Sequence, residues 1–211
     1  MTRKSNVFLY MLTCCLILFT MSTYCEEKLN DTSKYESAIF ASGCFWCTQH
    51  DFDQIKGVIS TTAGYTGGEK VNPTYEEVSA GGTGHVESLQ VKYNPNEVSY
   101  QDLLDFYWHN VDPTRNDGQF CDKGNQYRPV IFYDNENQKE LAEKYKNQLI
   151  LANKIHPILV EILPAKTFYP AEEYHQSYYK KNPLRYKFYR YNCGRDNRLK
   201  EIWGTLKYSD N

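Results

Sequence analysis

A short strand that ends in glycine and turns directly into a helix leaves little freedom for what sits at the junction. In this chain the junction is Gly43-Cys44-Phe45-Trp46-Cys47. Upstream, Ser37 to Ala41 is short and mostly apolar, closed by Ser42-Gly43, the pattern of a buried strand ending in a turn. Downstream, Phe52 and Ile55 fall at helical spacing from Thr48 and Asp51 until Gly57 stops the pattern. Cys44 is then expected at the mouth of a helix. Unpaired backbone N–H groups and the macrodipole favour an anion there and can lower a thiol pKa from about 8.5 toward 7 or below. A thiolate nucleophile fits that place. The plainer reading of a Cys-x-x-Cys, a structural pair in a core or a zinc site, requires two further ligands in the zinc case.

At 211 residues the chain is long enough for one domain with a substantial core and too short for two large ones. A formal net charge of −2 gives no electrostatic reason to expect nucleic acid or an acidic membrane as partner. The first 25 residues read as a signal peptide: Arg3 and Lys4, the apolar run Val7 to Met21, then Ser22 and Thr23 ahead of Glu26-Glu27. The run is shorter than the about 20 residues of a membrane-spanning helix. Cleavage between Ser22 and Glu26 is expected, which makes the mature protein exported, periplasmic or secreted, with no membrane attachment once the leader is gone. An uncleaved anchor is the lesser alternative. Residues 26–36 read as a polar linker and 37–208 as one catalytic domain. Of the seven cysteines, Cys14, Cys15 and Cys25 fall in the leader, so four remain: Cys44, Cys47, Cys121 and Cys193. In an exported domain two structural disulfides would be the bland expectation, although a chain of this length does not need staples.

Along the domain, Gly57 to Thr62 is β-branched and reads as a strand, with Ala63 to Gly68 a glycine-rich loop. No Gly-Lys-Ser/Thr or G-x-G-x-x-G pattern accompanies it, so a nucleotide site is not expected. His85 to Tyr93 alternates as a strand, which puts Glu87 on one face with Leu89 and Val91. A carboxyl on an apolar face is either an edge residue reaching solvent or a buried acid. Desolvation keeps a buried acid protonated near neutral pH, able to donate. Ser99 begins a helix that Asp112-Pro113 ends, and the polar loop 114–128 has a length that usually serves a site. Val130 to Tyr133 reads as a strand, Asp134 as the cap of a helix through Leu141, Tyr145 and Leu149, and Ile158 to Leu163 as the next strand. The tail is dense in aromatics from Phe168 to Tyr191. Cys193-Gly194 breaks it before a closing helix with Leu199, Ile202, Trp203 and Leu206 on one stripe.

Six motifs in order carry a family resemblance: Gly43-Cys-Phe-Trp-Cys47, Gly64-Tyr-Thr-Gly-Gly68, Asn72-Pro-Thr-Tyr75, Gly84-His-Val-Glu87, Asp122 to Tyr127 and Tyr174-His-Gln176. Together, from about Ala38 to Trp203, they closely resemble the peptide methionine sulfoxide reductase A family. Periodicity alone gives an α+β class. The resemblance implies a two-layer α/β sandwich of ferredoxin-like type with a wrapped C-terminal segment. It also implies reduction of methionine S-sulfoxide, free or in oxidised proteins, by one enzyme class per epimer. Carried over by position, Cys44 is the nucleophile, Glu87 the acid that protonates the sulfoxide oxygen, and Tyr75 and Tyr127 the hydroxyls that orient it. Phe45 and Trp46 hold the ε-methyl group, and Asp122 supports the substrate backbone. No bound cofactor or metal is implied. The co-substrate is a thioredoxin-like dithiol protein, and a monomer is expected.

The chain departs from the commonest family pattern at Cys47, often glycine, and at Cys121, often another polar residue. The thiol that resolves a Cys44 sulfenic acid is therefore open. Cys193, in a tail able to wrap back as resolving cysteines do in many relatives, ranks slightly above Cys47. Cys121 is the outsider, and a relay through Cys193 and Cys47 is an alternative. Two rivals stand beside the reductase. One is an exported thiol-disulfide oxidoreductase using Cys44-x-x-Cys47, which leaves Glu87, Tyr75 and Tyr127 without roles. The other is a zinc-binding or interaction module using the cysteines with His85 or His175, against which the irregular ligand spacing argues.

Overall fold

The structure is a computed structural model that describes residues 34–204. The chain divides into a short unit, Met1–Glu36, and the folded unit Ser37–Asn211. The expected leader, most of the linker and Leu206 lie outside the described residues.

Strand β1 (Glu36–Ala41) explains how the core divides. Its side chains alternate, so Ala38 and Phe40 join the main cluster while Ile39 and Ala41 join a smaller one on the opposite face. Helix α1 (Phe45–Phe52) follows at once, then β2 (Val58–Thr66), a short α2 (Tyr75–Ala80) and β3 (Val86–Tyr93). β2 and β3 pair antiparallel, with Ala63 opposite Leu89 and Tyr65 opposite Glu87. Helix α3 (Tyr100–His109) starts at Ser99 in a capping box with Asp102, as the sequence signature predicts. The loop after it holds a hairpin of two-residue strands, β4 (Gly118–Gln119) and β5 (Asp122–Lys123), and a 3-10 turn, Asn125–Tyr127. Then come β6 (Val130–Tyr133), α4 (Glu136–Ala152), β7 (Glu161–Pro164), β8 (Tyr169–Pro170) and three closing helices. These are α5 (Tyr178–Lys181), α6 (Pro183–Cys193) and α7 (Arg195–Trp203).

The main sheet runs β7-β6-β1-β3-β2-β8. β6 is antiparallel to β1 and parallel to β7. The inner order β6-β1-β3-β2, with α1 after β1 and α3 after β3, is the β-α-β-β-α-β ferredoxin-like arrangement. The α+β class expected from sequence is thus the one observed. The main cluster packs Phe40, Leu89, Val91, Tyr93 and Ile131 of the sheet against Leu103, Leu104, Tyr107 and Trp108 of α3. Phe40 stacks on Phe52 at 5.1 Å and on Tyr107 at 5.3 Å. The buried Tyr107 hydroxyl is not wasted in this apolar layer: it donates to Ala41 O at 3.0 Å and fixes the end of β1 just ahead of the cysteines.

Three local expectations shift. Ala63–Gly68 is not all loop, because β2 continues to Thr66 and pairs with β8. Gly64 sits where a Cβ would come 2.4 Å from Tyr169 O, so the glycine serves close strand approach rather than a turn. The cap of α4 is Asn135 rather than Asp134, accepting from Gln138 N at 3.0 Å. The strand expected from Ile158 begins only at Glu161, since Leu159 N donates instead to Pro113 O at 2.7 Å.

Candidate active site

Cys44 occupies the N-cap of α1 with extended-type backbone, φ −54° and ψ 120°. Gly43 turns the chain into it at φ +89°, with no room for a side chain: a Cβ would lie 2.6 Å from Gln119 Cβ. The turn is clamped from behind by Arg195 at the start of α7. Its guanidinium donates to Ser42 O at 3.0 Å and to Asn110 O at 2.7 Å and lies over the Phe120 ring at 4.5 Å. Sequence reasoning missed Arg195, which carries no motif.

Glu87 arrives from β3 with only 3% exposure, on the face shared with Leu89 and Val91. Its Oε2 accepts the Phe45 N–H at 3.0 Å, so the first free donor of α1 is taken by the acid and not by the cysteine. Burial raises the Glu87 pKa from 4.5 to about 8; the Phe45 bond works against this and the Asp122 charge adds to it. The carboxyl is therefore largely neutral at pH 7 and able to donate. Tyr75, at the start of α2, and Tyr127, at the end of the 3-10 turn, both have raised phenol pKa values. Burial is the main cause, followed by the Glu87 charge, and Cys44 contributes to each. For Tyr75 the value reaches about 12. Neither hydroxyl has a hydrogen-bond partner among the described residues.

The thiols depart from expectation. Cys44 is 7% exposed and Cys47 2%, and neither is in a disulfide. Burial pushes the Cys44 thiol well up, and its hydrogen bond to Cys47 pushes it further. Cys47 moves down, first through the hydrogen bond from Cys44, then through Arg195 and Arg190, against the cost of burial. Burial and the nearby carboxyls thus work against charge on Cys44, while the arginines favour it on Cys47. The helix mouth alone does not decide, because its leading N–H is spent on Glu87 while the arginines stand on the Cys47 side.

An aromatic wall completes the site. Phe45 is buried and packs with Tyr65 at 5.9 Å and His175 at 5.0 Å. Trp46, partly buried, stacks flat on Tyr178 at 3.7 Å and meets the edge of Tyr189 at 5.8 Å. The Trp46 indole N–H donates to His175 Nδ1 at 3.0 Å, which places the histidine proton on Nε2, a buried atom with no hydrogen-bond partner among the described residues. His175 also packs at 4.3 Å from Tyr75. The sequence carried His175 within the Tyr174-His-Gln176 motif and as a ligand of a rival zinc site, but gave it no role in the reductase; the signal was its place in the aromatic tail. Asp122 on β5 accepts from the Tyr189 hydroxyl at 2.5 Å, and burial raises its pKa. Glu172 holds the far rim, accepting from Tyr65 OH and Tyr75 N, each at 2.9 Å.

The remaining two cysteines are joined: Cys121 and Cys193 form a disulfide. Cys193, ranked first to resolve Cys44, is here bonded to the outsider, and the free thiol next to Cys44 is Cys47. Cys121, Asp122 and Cys193 bring ligand atoms within 4.8 Å of one another, the one such trio among the described residues, but its two sulfurs are tied to each other. His85 ties the glycine loops instead, accepting from Gly68 N at 3.2 Å and bonding Lys70 O at 2.7 Å.

The family model described as peptide methionine sulfoxide reductase matches residues 36–207. The chain belongs to that family. A peptide methionine sulfoxide reductase MsrA of Streptococcus agalactiae is 51% identical over 72% of this chain and 90% of its own length. A Vibrio cholerae peptide methionine sulfoxide reductase MsrA/MsrB is 45% identical over 90% of this chain, which spans 51% of that relative's length. Among solved structures, methionine sulfoxide reductase A of Corynebacterium diphtheriae is 34% identical with a TM-score of 0.65, over 72% of this chain and 76% of its own. Membership covers the whole described fold, and the family's reductive chemistry is what the buried acid and thiols have to be read against.

Proposed function

We propose that this protein reduces the S epimer of methionine sulfoxide, free and in oxidised proteins, as a repair enzyme. The observation that carries the reading is Glu87: a buried carboxyl, neutral at pH 7, beside a cysteine pair and two unpartnered tyrosine hydroxyls. A sulfoxide oxygen leaves only when protonated. Glu87 supplies the proton, and Tyr75 and Tyr127 orient the oxygen. Cys44 passes its proton along the hydrogen bond to Cys47 and attacks the sulfur, with Phe45 and Trp46 against the methyl group and Asp122 at the substrate backbone. Methionine departs and Cys44 is left as sulfenic acid. Cys47, the adjacent thiol, then attacks that sulfur, and with one proton the hydroxyl leaves as water, giving a Cys44–Cys47 disulfide. Its reduction draws two electrons from a thioredoxin-like dithiol protein, so no bound cofactor is invoked. The leader pattern of residues 1–25 supports action outside the cytoplasm.

A thiol-disulfide oxidoreductase acting on protein disulfides fits less well, since Glu87, Tyr75 and Tyr127 would be idle. The deciding assay offers the S and R epimers of a blocked methionine sulfoxide with dithiothreitol. Methionine from the S epimer alone is expected; none from it refutes the proposal.

A further inference from the structure

Tyr75 has to hold the sulfoxide oxygen, yet the helix that carries it gains little anchorage from packing. α2 is six residues long, and Val78 is its one buried side chain. So short a helix has little stability of its own, and one buried residue leaves few contacts to fix its position. Its place therefore depends on polar ties from other parts of the chain. At its end, Gln126 Nε2 donates to Ser79 O at 3.0 Å, which joins α2 to the turn that carries Tyr127. At its start, the Tyr75 N–H donates to Glu172 Oε1 at 2.9 Å, across 97 residues of sequence.

Glu172 reaches in two directions. Its other oxygen accepts from the Tyr65 hydroxyl at 2.9 Å, and the Tyr65 ring lies 5.9 Å from that of Phe45. One carboxylate thus spans from the residue that orients the oxygen to the wall that holds the methyl group. Its own base is tied down. The Glu172 carbonyl accepts from His175 N at 2.9 Å, which closes a turn. The Gln176 side chain then pairs with β2 as a strand would, accepting from Ala63 N at 2.9 Å and donating to Ala63 O at 2.8 Å. Ser177 N donates to Gln49 Oε1 at 2.7 Å, which joins the same segment to α1. Burial works against the Glu172 charge, but the Tyr75 N–H, its own N–H and the Tyr65 hydroxyl outweigh it and hold the pKa below the ordinary value. The bonds to Tyr75 and Tyr65 are therefore made to an ionised carboxylate, the stronger kind.

Resting on the reductase reading above, we propose that Glu172 is a positioning residue of the reaction: through the Tyr75 backbone it sets where the Tyr75 hydroxyl stands relative to the methyl wall at Phe45. It touches no reacting atom. The role requires reach rather than charge. Glutamine keeps the reach, since its oxygen accepts from Tyr75 N and its amide donates to the Tyr65 hydroxyl. Aspartate keeps the charge but is one methylene too short to hold both ends, so the start of α2 shifts and Tyr75 with it. A displacement of about 1 Å in an active site costs up to about 10²-fold in rate, and with Tyr127 still on the oxygen a fall of about tenfold is expected.

The plainer role is a fastener of the fold, which would act without regard to the Tyr75 hydroxyl, and a mutant cycle separates the two. Single-turnover methionine formation from the S epimer is measured, per folded chain, for Glu172→Asp in the wild-type, Tyr75→Phe and Tyr127→Phe backgrounds. Glu172→Gln is measured in the wild-type background, and urea melts give the folded fraction of every variant. The aspartate substitution is expected to slow the wild-type chain about tenfold. The loss is at least as large in Tyr127→Phe, where Tyr75 alone holds the oxygen, and vanishes in Tyr75→Phe, where no hydroxyl is left to misplace. Glu172→Gln keeps most of the wild-type rate. An equal loss in Tyr75→Phe, no loss in any background, or a glutamine variant as slow as the aspartate one overturns the proposal. A wild-type chain that forms no methionine from the S epimer refutes the reductase reading itself, a result none of these comparisons imitates.

Discussion

Glu87→Gln removes an acidic proton with almost no change of shape, because the amide oxygen can still accept the Phe45 N–H now bound at 3.0 Å. The Glu87 pKa of about 8, against an ordinary 4.5, sets the size of the effect. At pH 7 a carboxyl of pKa 8 is about 90% neutral and one of 4.5 about 0.3%, so burial enriches the proton donor roughly 300-fold. General acid catalysis by a positioned group contributes about 10²–10⁴ in rate, or about 3–5 kcal/mol of barrier. Single-turnover methionine formation by the reduced enzyme, followed by rapid quench between pH 5 and 9.5, should drop by that factor in the variant. The wild-type rate should decline as pH rises through about 8, and the decline should be missing in Glu87→Gln. Stability provides a second reading. Folding raises this pKa, so between about 4.5 and 8 the folded state binds more protons than the unfolded one. Wild-type stability is therefore lost as pH rises across that window and not further above it, whereas the glutamine variant is spared. Urea melts at pH 6 and 9 should show the variant gaining relative to wild type by a few kcal/mol at most. A single-turnover rate unchanged by the substitution, or a basic decline that persists in it, would refute the proton-donor role.

Cys44→Ser should form no methionine even in a single turnover, while its urea midpoint stays close to that of wild type, since serine fills the same space but supplies no thiolate. His175→Ala strips the Trp46 indole N–H of its acceptor and opens space beside Phe45 and Tyr75. A loss of about 1–2 kcal/mol in substrate binding is expected, read as KM raised roughly 5–30-fold with kcat changed far less; a fall in kcat alone would place His175 in the chemistry instead. Gly43→Ala forces a side chain into φ +89° and to within 2.6 Å of Gln119 Cβ. Gln119 cannot easily yield, being buried and bonded to both Asp112 N and Asp112 O at 2.9 Å. Denaturant melts should show a loss of about 2–4 kcal/mol.

The succession of strands and helices and the site were legible from sequence to different depths. Alternation in His85–Tyr93 placed Glu87 on the inner face without any contact being known, because a strand's period of two admits no other side for it. Ser99 and Asp102 marked α3 because capping is local chemistry. The glycines of 64–68 misled, since glycine in a turn and glycine under a crossing strand look alike until Tyr169 is in place. The charge on the cysteine pair was illegible for a similar reason. Arg190 and Arg195 are more than 140 positions away from Cys47 in sequence and reach it only after α6 and α7 fold back. The same distance hid the Cys121–Cys193 bond, as four cysteines allow three pairings and spacing alone does not choose.

A neutral acid and a thiolate have to coexist in one buried site, and the fold achieves this with a gradient across the Cys-x-x-Cys. On the β3 side stand Glu87 and the Asp122 carboxyl, both with raised pKa values, and both oppose negative charge on Cys44. On the α6–α7 side stand Arg190, ion-paired with Asp51 at 2.7 Å, and Arg195, 3.6 Å from the same carboxylate. Arg190 also pairs with Asp196 at 2.7 Å, yet both guanidiniums favour negative charge on Cys47 while Asp51 opposes it, so the charge of the pair is drawn toward Cys47. The polarity that makes Cys44 a reluctant thiolate at rest suits the second step. After oxygen transfer, Cys44 is the electrophile and Cys47 must be the anion, and Cys47 is already the sulfur the arginines favour. Were the helix mouth to stabilise Cys44 instead, attack on the sulfoxide would gain, but Cys47, which has taken up the Cys44 proton, would release it less readily for the second attack.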